Sequence, residues 1–194
     1  MSDVEELSQE AIDEFVVAAH GDFPKVQRML NRDPRLLNEN ATWIETPLGA
    51  AAHTASREIA EYLLAAGAPL DICAAAMLGR EEDVTAFLDA EPDLVHVTGA
   101  HFIPLLFHAA IGGNLRIVSL LVERGADVNA GEGMNSALHG AAGFGYVEIA
   151  RYLLDQGADF SALDHEGRTP LDVAEATEND DIAAMLRDYT GMDE

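Results

Sequence analysis

One cysteine, one lysine and one tryptophan occur in this chain of 194 residues. A single thiol, Cys73, excludes an internal disulfide framework and a multi-thiolate metal site. No apolar run reaches the roughly 18–20 residues that span a bilayer. The first residues, MSDVEELSQEAIDE, are acidic and lack the basic-then-apolar pattern of a secretory signal. Together these absences predict a cytoplasmic protein. The shortage of lysine belongs to a wider shortage of positive charge. Asp and Glu number 35 against 11 Lys and Arg, a formal net charge of −24. Binding a nucleic acid requires Lys and Arg to displace counterions, so this chain is expected to bind none. An anionic membrane is disfavoured for the same reason. Lys25 aside, every cation is Arg. Two sources of this balance stay open: an Arg-biased composition with a solubilising surface, or adaptation to high salt.

Apolar residues are not scarce. They make up 48% of the chain, enough for a core. They also repeat. SALHGAAGFGYVEIARYLLDQGA (136–158) and PLLFHAAIGGNLRIVSLLVERGA (104–126) share one frame: an Ala-Ala pair, a Gly three residues on, an apolar pair four residues later, then Gly-Ala. TPLGAAAHTASREIAEYLLAAGA (46–68) follows it with Ala55 in the Gly position, and TPLDVAEATENDDIAAML (169–186) follows it less closely. Each unit reads as a helix opened by a Thr cap and Pro in its first turn, a Gly turn, and a second helix with a 3.6-residue apolar rhythm. One such pair cannot bury its own apolar face, so the units must stack.

TPLxxAA, the Gly that follows it, and RGADVNA at 124–130 resemble the ankyrin repeat, whose period is about 33 residues. The resemblance covers nearly the whole chain and is strongest at 104–171. It implies an all-α solenoid of about six helix-turn-helix units with short β-hairpin fingers, in a stand-alone array of bacterial or archaeal type. Units start near residues 12, 46, 70, 104, 136 and 169 of one domain spanning 1–194. Residues 1–11 are expected to cap one end and 187–194 to form a tail.

The start at 70 comes early. GAPLDICAAAMLG (67–79) leads from a second helix almost directly into the next first helix, so the finger there is expected to shrink to a turn around Pro69. A longer period also appears. A shift of 58 residues superposes Gly21 on Gly79, Pro34 on Pro92, Leu48 on Leu106, and Ala51-Ala52 on Ala109-Ala110. The first four units thus read as a duplicated pair, long then short. The segments DPRLLNENATWI and EPDLVHVTGAHF are equivalent, and their Leu-rich parts are expected to pack back on the stack.

The resemblance implies that finger tips and the inner sides of the first helices face a partner. The fingers here depart from the family pattern, which has Gly two residues before the Thr of Thr-Pro-Leu. Gly167 keeps that place, but Ile44, Phe102 and Met134 occupy it elsewhere. A tip without Gly is expected to need a different backbone. Burial of Ile44 and Phe102 against a neighbour, or exposure in the groove, both fit the pattern. Inner-helix positions carried over unit by unit are Ala19 and His20, His53 and Thr54, Met77 and Leu78, Ile111 and Gly112, Gly143 and Phe144. The candidate partner-binding set is therefore Trp43, Glu45, His53, Met77, His101, Phe102, Ile103, Ile111, Glu132, Asn135 and Phe144. Exposed aromatic and Met side chains favour a protein interface, and Trp is the typical anchor.

Catalytic signatures are missing. No HExxH, Ser-His-Asp frame or phosphate-binding Gly-Lys loop occurs. His139 fills the family's TPLH position and is expected to hydrogen-bond nearby backbone. His53, His101 and His108 could cluster on one face, since their units lie close in the stack, but no metal, cofactor or catalytic residue is predicted from them. The expected function is a non-catalytic scaffold that binds, as a monomer, another protein, and the acidity suggests a partner with a basic rim. The alternative is an acidic polyanion mimic that occupies a basic protein surface. High salt separates them, because only the mimic depends wholly on charge.

Overall fold

A computed structural model describes residues 6–131 and 133–190. The twelve α-helices among them fall into six antiparallel pairs: α1 (Gln9–Ala19) with α2 (Phe23–Arg32), α3 (Pro47–His53) with α4 (Arg57–Ala65), α5 (Ile72–Leu78) with α6 (Glu81–Ala90), α7 (Leu105–Ile111) with α8 (Leu115–Glu123), α9 (Ala137–Phe144) with α10 (Val147–Asp155), and α11 (Pro170–Ala176) with α12 (Asp180–Thr190). The first helix of each pair packs on the first helix of the next, in the order α1, α3, α5, α7, α9, α11.

Local chemistry explains where these helices begin. Thr46, Asp71, Ser136 and Thr169 each accept a hydrogen bond from the backbone N–H three residues on. Each thereby satisfies a donor that a helix start leaves unpaired. Thr169 and Asp172 do so reciprocally, as a capping box. Pro47 and Pro170 stand in first turns, where no N–H is needed. The Ala-Ala pairs 51–52, 75–76, 109–110 and 141–142 are fully buried. Their small side chains let successive first helices approach closely. Ile59, Leu63, Val84, Leu88, Ile117, Leu121, Ile149 and Leu153 on the second helices complete the core.

The connections differ as the 58-residue period implies. Pro34–Asn38 and Pro92–His96 form equivalent 3-10 turns whose Leu36 and Val95 are buried against the stack. Residues 66–71 join α4 to α5 without any such excursion. The fingers are tight turns rather than β-hairpins. Among the described residues the one β-bridge pairs Thr98 with Pro104. Ala41 N–H donates to Glu45 C=O at 2.9 Å, Gly99 N–H to Ile103 C=O at 2.8 Å, and Asp164 N–H to Arg168 C=O at 2.9 Å. One five-residue closure therefore recurs in three fingers.

Candidate functional site

At the Gly position itself the tips keep the family's left-handed backbone beneath Ile44 and Phe102, although the tip at 99–103 differs one residue earlier. Both side chains sit in the left-handed region, at φ 62° and 59°, where Gly167 of the last finger sits at φ 76°. His101, beside Phe102, is left-handed too, at φ 55°. A β-branched residue there is a clear outlier, with a cost of about 1–2 kcal/mol. Nothing repays it by burial: Ile44 is 85% exposed and Phe102 80% exposed. Strain kept at exposed tips points to function rather than stability. Ile44→Gly is expected to raise stability by about 1 kcal/mol, the relief of left-handed strain less the extra chain entropy of Gly. Urea denaturation would read this as a higher midpoint with an unchanged slope.

Missing finger residues bring distant tips together. Because 66–71 raises no finger, the finger at 98–102 leans across the gap toward α3. A Cβ placed on Gly49 would lie 3.8 Å from Ala100 Cβ. Between the two tips opens a cavity of about 510 Å³, lined in part by Ile44, Glu45, Leu70, Cys73, Phe87 and His108. Cys73 is buried in its wall, and burial first, then the Asp71 charge, push the thiol well above its ordinary range. It is not a reactive thiol.

Beside this gap, His20 at the end of α1, His53 at the end of α3, Glu45 of the first finger and His101 of the third converge. One ligand atom from each lies within 4.8 Å of the other three. Glu45 is the centre and only 2% exposed. Its Oε2 accepts from the Trp43 indole N–H at 2.6 Å. His101 Nε2 stands 3.4 Å and His20 Nε2 3.6 Å from the same oxygen. His53 Nδ1 is 3.1 Å from Oε1, but it is also 3.1 Å from the Gly49 carbonyl. The His53 N–H is best placed for Gly49, and Oε1 is left without a well-formed hydrogen bond. The rings stack edge to face, His20 on His53 at 5.0 Å and His53 on His101 at 5.1 Å. Burial pushes the Glu45 carboxyl up. The approach of His53, the Trp43 hydrogen bond and the charges of His53 and His20 outweigh it and hold the group below its ordinary value.

The candidate residues thus divide. Trp43, His101, Phe102 and Phe144 are exposed, and Asn135 is half-buried. Met77, Ile103 and Ile111 are buried, contrary to the groove positions expected for them. All three pack into one buried apolar cluster with Phe107. Glu45 is buried rather than rim-facing, and Glu132 lies outside the described residues. The expected grouping of His53 and His101 with His108 also changes. His108 is buried with Nδ1 against the Pro104 carbonyl at 3.0 Å, and His20 takes its place. His139 is buried between Ser136 Oγ, at 2.8 Å, and the Arg168 carbonyl, at 3.0 Å. Three exposed apolar side chains had no place in the candidate set: Ile44, Val17 and Leu163. Ile44 was marked by the missing Gly; Val17 and Leu163 carried no signal.

A stack of paired helices with fingers on one side, and with no described helix long and apolar enough to cross a membrane, defines a helical repeat protein. The chain belongs to the ankyrin repeat family: the model of three-copy ankyrin repeats matches residues 72–164 and 106–193. It is 37% identical over 105 residues to the E3 ubiquitin-protein ligase hecd-1 of Caenorhabditis elegans, over 53% of this chain and 4% of that protein. It is 37% identical over 99 residues to protein phosphatase 1 regulatory subunit 27 of Mus musculus, over 49% of this chain and 62% of that protein. With the ankyrin repeat and SAM domain-containing protein 6 of Rattus norvegicus it shares 35% identity over 105 residues, 53% of this chain and 12% of that protein. In each case the match spans less than two thirds of the relative's length. Ankyrin repeats generally mediate protein–protein interaction and are typically non-catalytic.

Proposed function

We propose that this chain acts as a non-catalytic scaffold, one array spanning its length, that holds a partner protein against the fingers and inner helices. The observation that carries this reading is the pair of strained, exposed tips, Ile44 and Phe102, with Trp43 beside them. Contiguous exposed apolar surface marks an interaction site, and aromatic anchors carry much of interface energy. Phe144, stacked on Tyr146 at 6.3 Å, extends the apolar positions along the inner side. The net charge of −24 favours a partner whose rim is basic, drawn in electrostatically.

Affinity capture from lysate at low and high salt tests this reading. The comparison is an Ile44→Ser/Phe102→Ser variant, which removes mostly exposed side-chain surface and leaves the Trp43–Glu45 bond intact. The expected result is a partner retained by wild type in high salt and weakened at least tenfold by the variant. Capture that ignores the variant and vanishes with salt would instead assign binding to the acidic surface, as in a polyanion mimic.

A further inference from the structure

We propose that His20, Glu45, His53 and His101 bind one borderline divalent transition metal ion, Zn2+ foremost, at the base of the finger tips. Three imidazoles and one carboxylate are a donor set suited to such an ion. In a tetrahedral site with bonds near 2.0–2.1 Å, neighbouring ligand atoms stand about 3.3 Å apart. Glu45 Oε2 stands 3.4 Å from His101 Nε2 and 3.6 Å from His20 Nε2, close to that spacing, and His53 Nδ1, 3.1 Å from Oε1, would join them by giving up its proton and its bond to the Gly49 carbonyl.

The hydrogen bonds argue for a cation between these groups. His20 Nδ1 lies 3.0 Å from the Val16 carbonyl, which an N–H at that atom satisfies. Nε2 of the same ring faces Glu45 Oε2. At 3.6 Å, and 3.4 Å for His101, these contacts exceed ordinary hydrogen bonds. An ion between them would take these donors as ligands. Held by both carboxylate oxygens, the ion would also satisfy Oε1, which is buried and makes no well-formed hydrogen bond. The Val16 carbonyl and the Trp43 indole then hold His20 and Glu45 in place, as outer partners of metal ligands do.

The duplicated half of the chain supplies an internal control. Shifted by 58 residues, Glu45 falls on Ile103 and His53 on Ile111, both buried. The scaffold therefore accepts plain apolar side chains at these places. A carboxylate and an imidazole in the first copy serve something that packing does not need. His101 supplies the opening: its side chain is 44% exposed on the inner side, an entry path to the buried carboxylate. Its left-handed backbone turns the ring toward Glu45, and the missing finger between the second and third units lets it reach.

Isothermal titration of the metal-free full chain with Zn2+ in competition with a chelator tests the site, with Mg2+ as the control for loose binding to surface carboxylates. The expected result is a single equivalent of Zn2+ bound tightly, no saturable Mg2+ step, and intense visible bands when Co2+ is bound in a tetrahedral field. Glu45→Gln and His101→Ala are expected to abolish the stoichiometric step. Trp43→Phe, which removes only an outer hydrogen bond, is expected to weaken it about tenfold. His101→Ala changes an exposed tip, and circular dichroism without metal confirms that it folds. A wild type showing no step beyond the Mg2+ control overturns the proposal. So does a folded His101→Ala that binds Zn2+ as wild type does. Neither outcome bears on the partner test above, whose variants leave all four ligands in place.

Discussion

Acidification from pH 7 to pH 4 is expected to remove about 3 kcal/mol of stability through His108 alone. Burial is the main cause. It lowers the ring from its ordinary 6.5 to about 4; the Pro104 hydrogen bond opposes the shift and the charge of His53 adds to it. The unfolded chain therefore takes up a proton between pH 6.5 and 4 that the folded chain refuses. Stability is full above 6.5, falls as pH drops through that window and levels off near 4. Two to three pK units amount to about 3 kcal/mol. His108→Gln keeps a donor for the Pro104 carbonyl and cannot titrate. Urea midpoints at pH 7, 6, 5 and 4 are expected to show a shallower acid slope for the variant than for wild type. Equal slopes would show that His108 titrates as an exposed histidine.

Gly112→Ala is expected to cost about 2 kcal/mol, although its backbone is ordinary right-handed helix at φ −68°. On entropy alone the change stabilises by roughly 0.4–1 kcal/mol. The new methyl, however, would stand 2.8 Å from the carbonyl oxygens of Ala76 and Met77 and 3.0 Å from Met77 Cα. All three are backbone atoms at the end of α5, and no rotamer change relieves them. Arg57 further pins this point, donating to the Leu78 carbonyl at 3.1 Å and to the Gly112 carbonyl itself. Overpacking of this kind costs about 1–3 kcal/mol and wins. Gly21 is the matched control. No atom lies within 4 Å of a Cβ there, so Gly21→Ala is expected to gain about 0.5 kcal/mol. Thermal denaturation of the two variants beside wild type should move in opposite directions.

The architecture was legible because it is written six times. The Ala-Ala pairs, Thr-Pro starts and Gly turns each have a local physical reason, and their recurrence set the helix pairs. The finger tips were half legible. Replacement of Gly by Ile44 and Phe102 was visible, but not that the backbone stays left-handed beneath them. That outcome depends on the five-residue closure between Ala41 and Glu45, which no side chain announces. Met77 and Ile111 were misplaced because both pack into one buried apolar cluster with Ile103 and Phe107, a neighbourhood that spacing along the chain does not reveal. The His20–Glu45–His53–His101 cluster was the least legible. Its members lie up to 81 residues apart, and they meet across the place where one finger is missing. Both clues, the short spacing before residue 70 and the Glu45–Ile103 mismatch under the 58-residue shift, were present but separate.

That missing finger also alters how the array comes apart. A regular solenoid couples each unit only to its neighbours, so it frays from the ends one unit at a time. Here the fourth unit's finger reaches past the third to Glu45 and Gly49 of the second. Opening α3 must release 98–104, and release of that finger must loosen α3. The front four units therefore open as one cooperative block, and amide exchange in α3 rises and falls with exchange at Gly99 and Ile103.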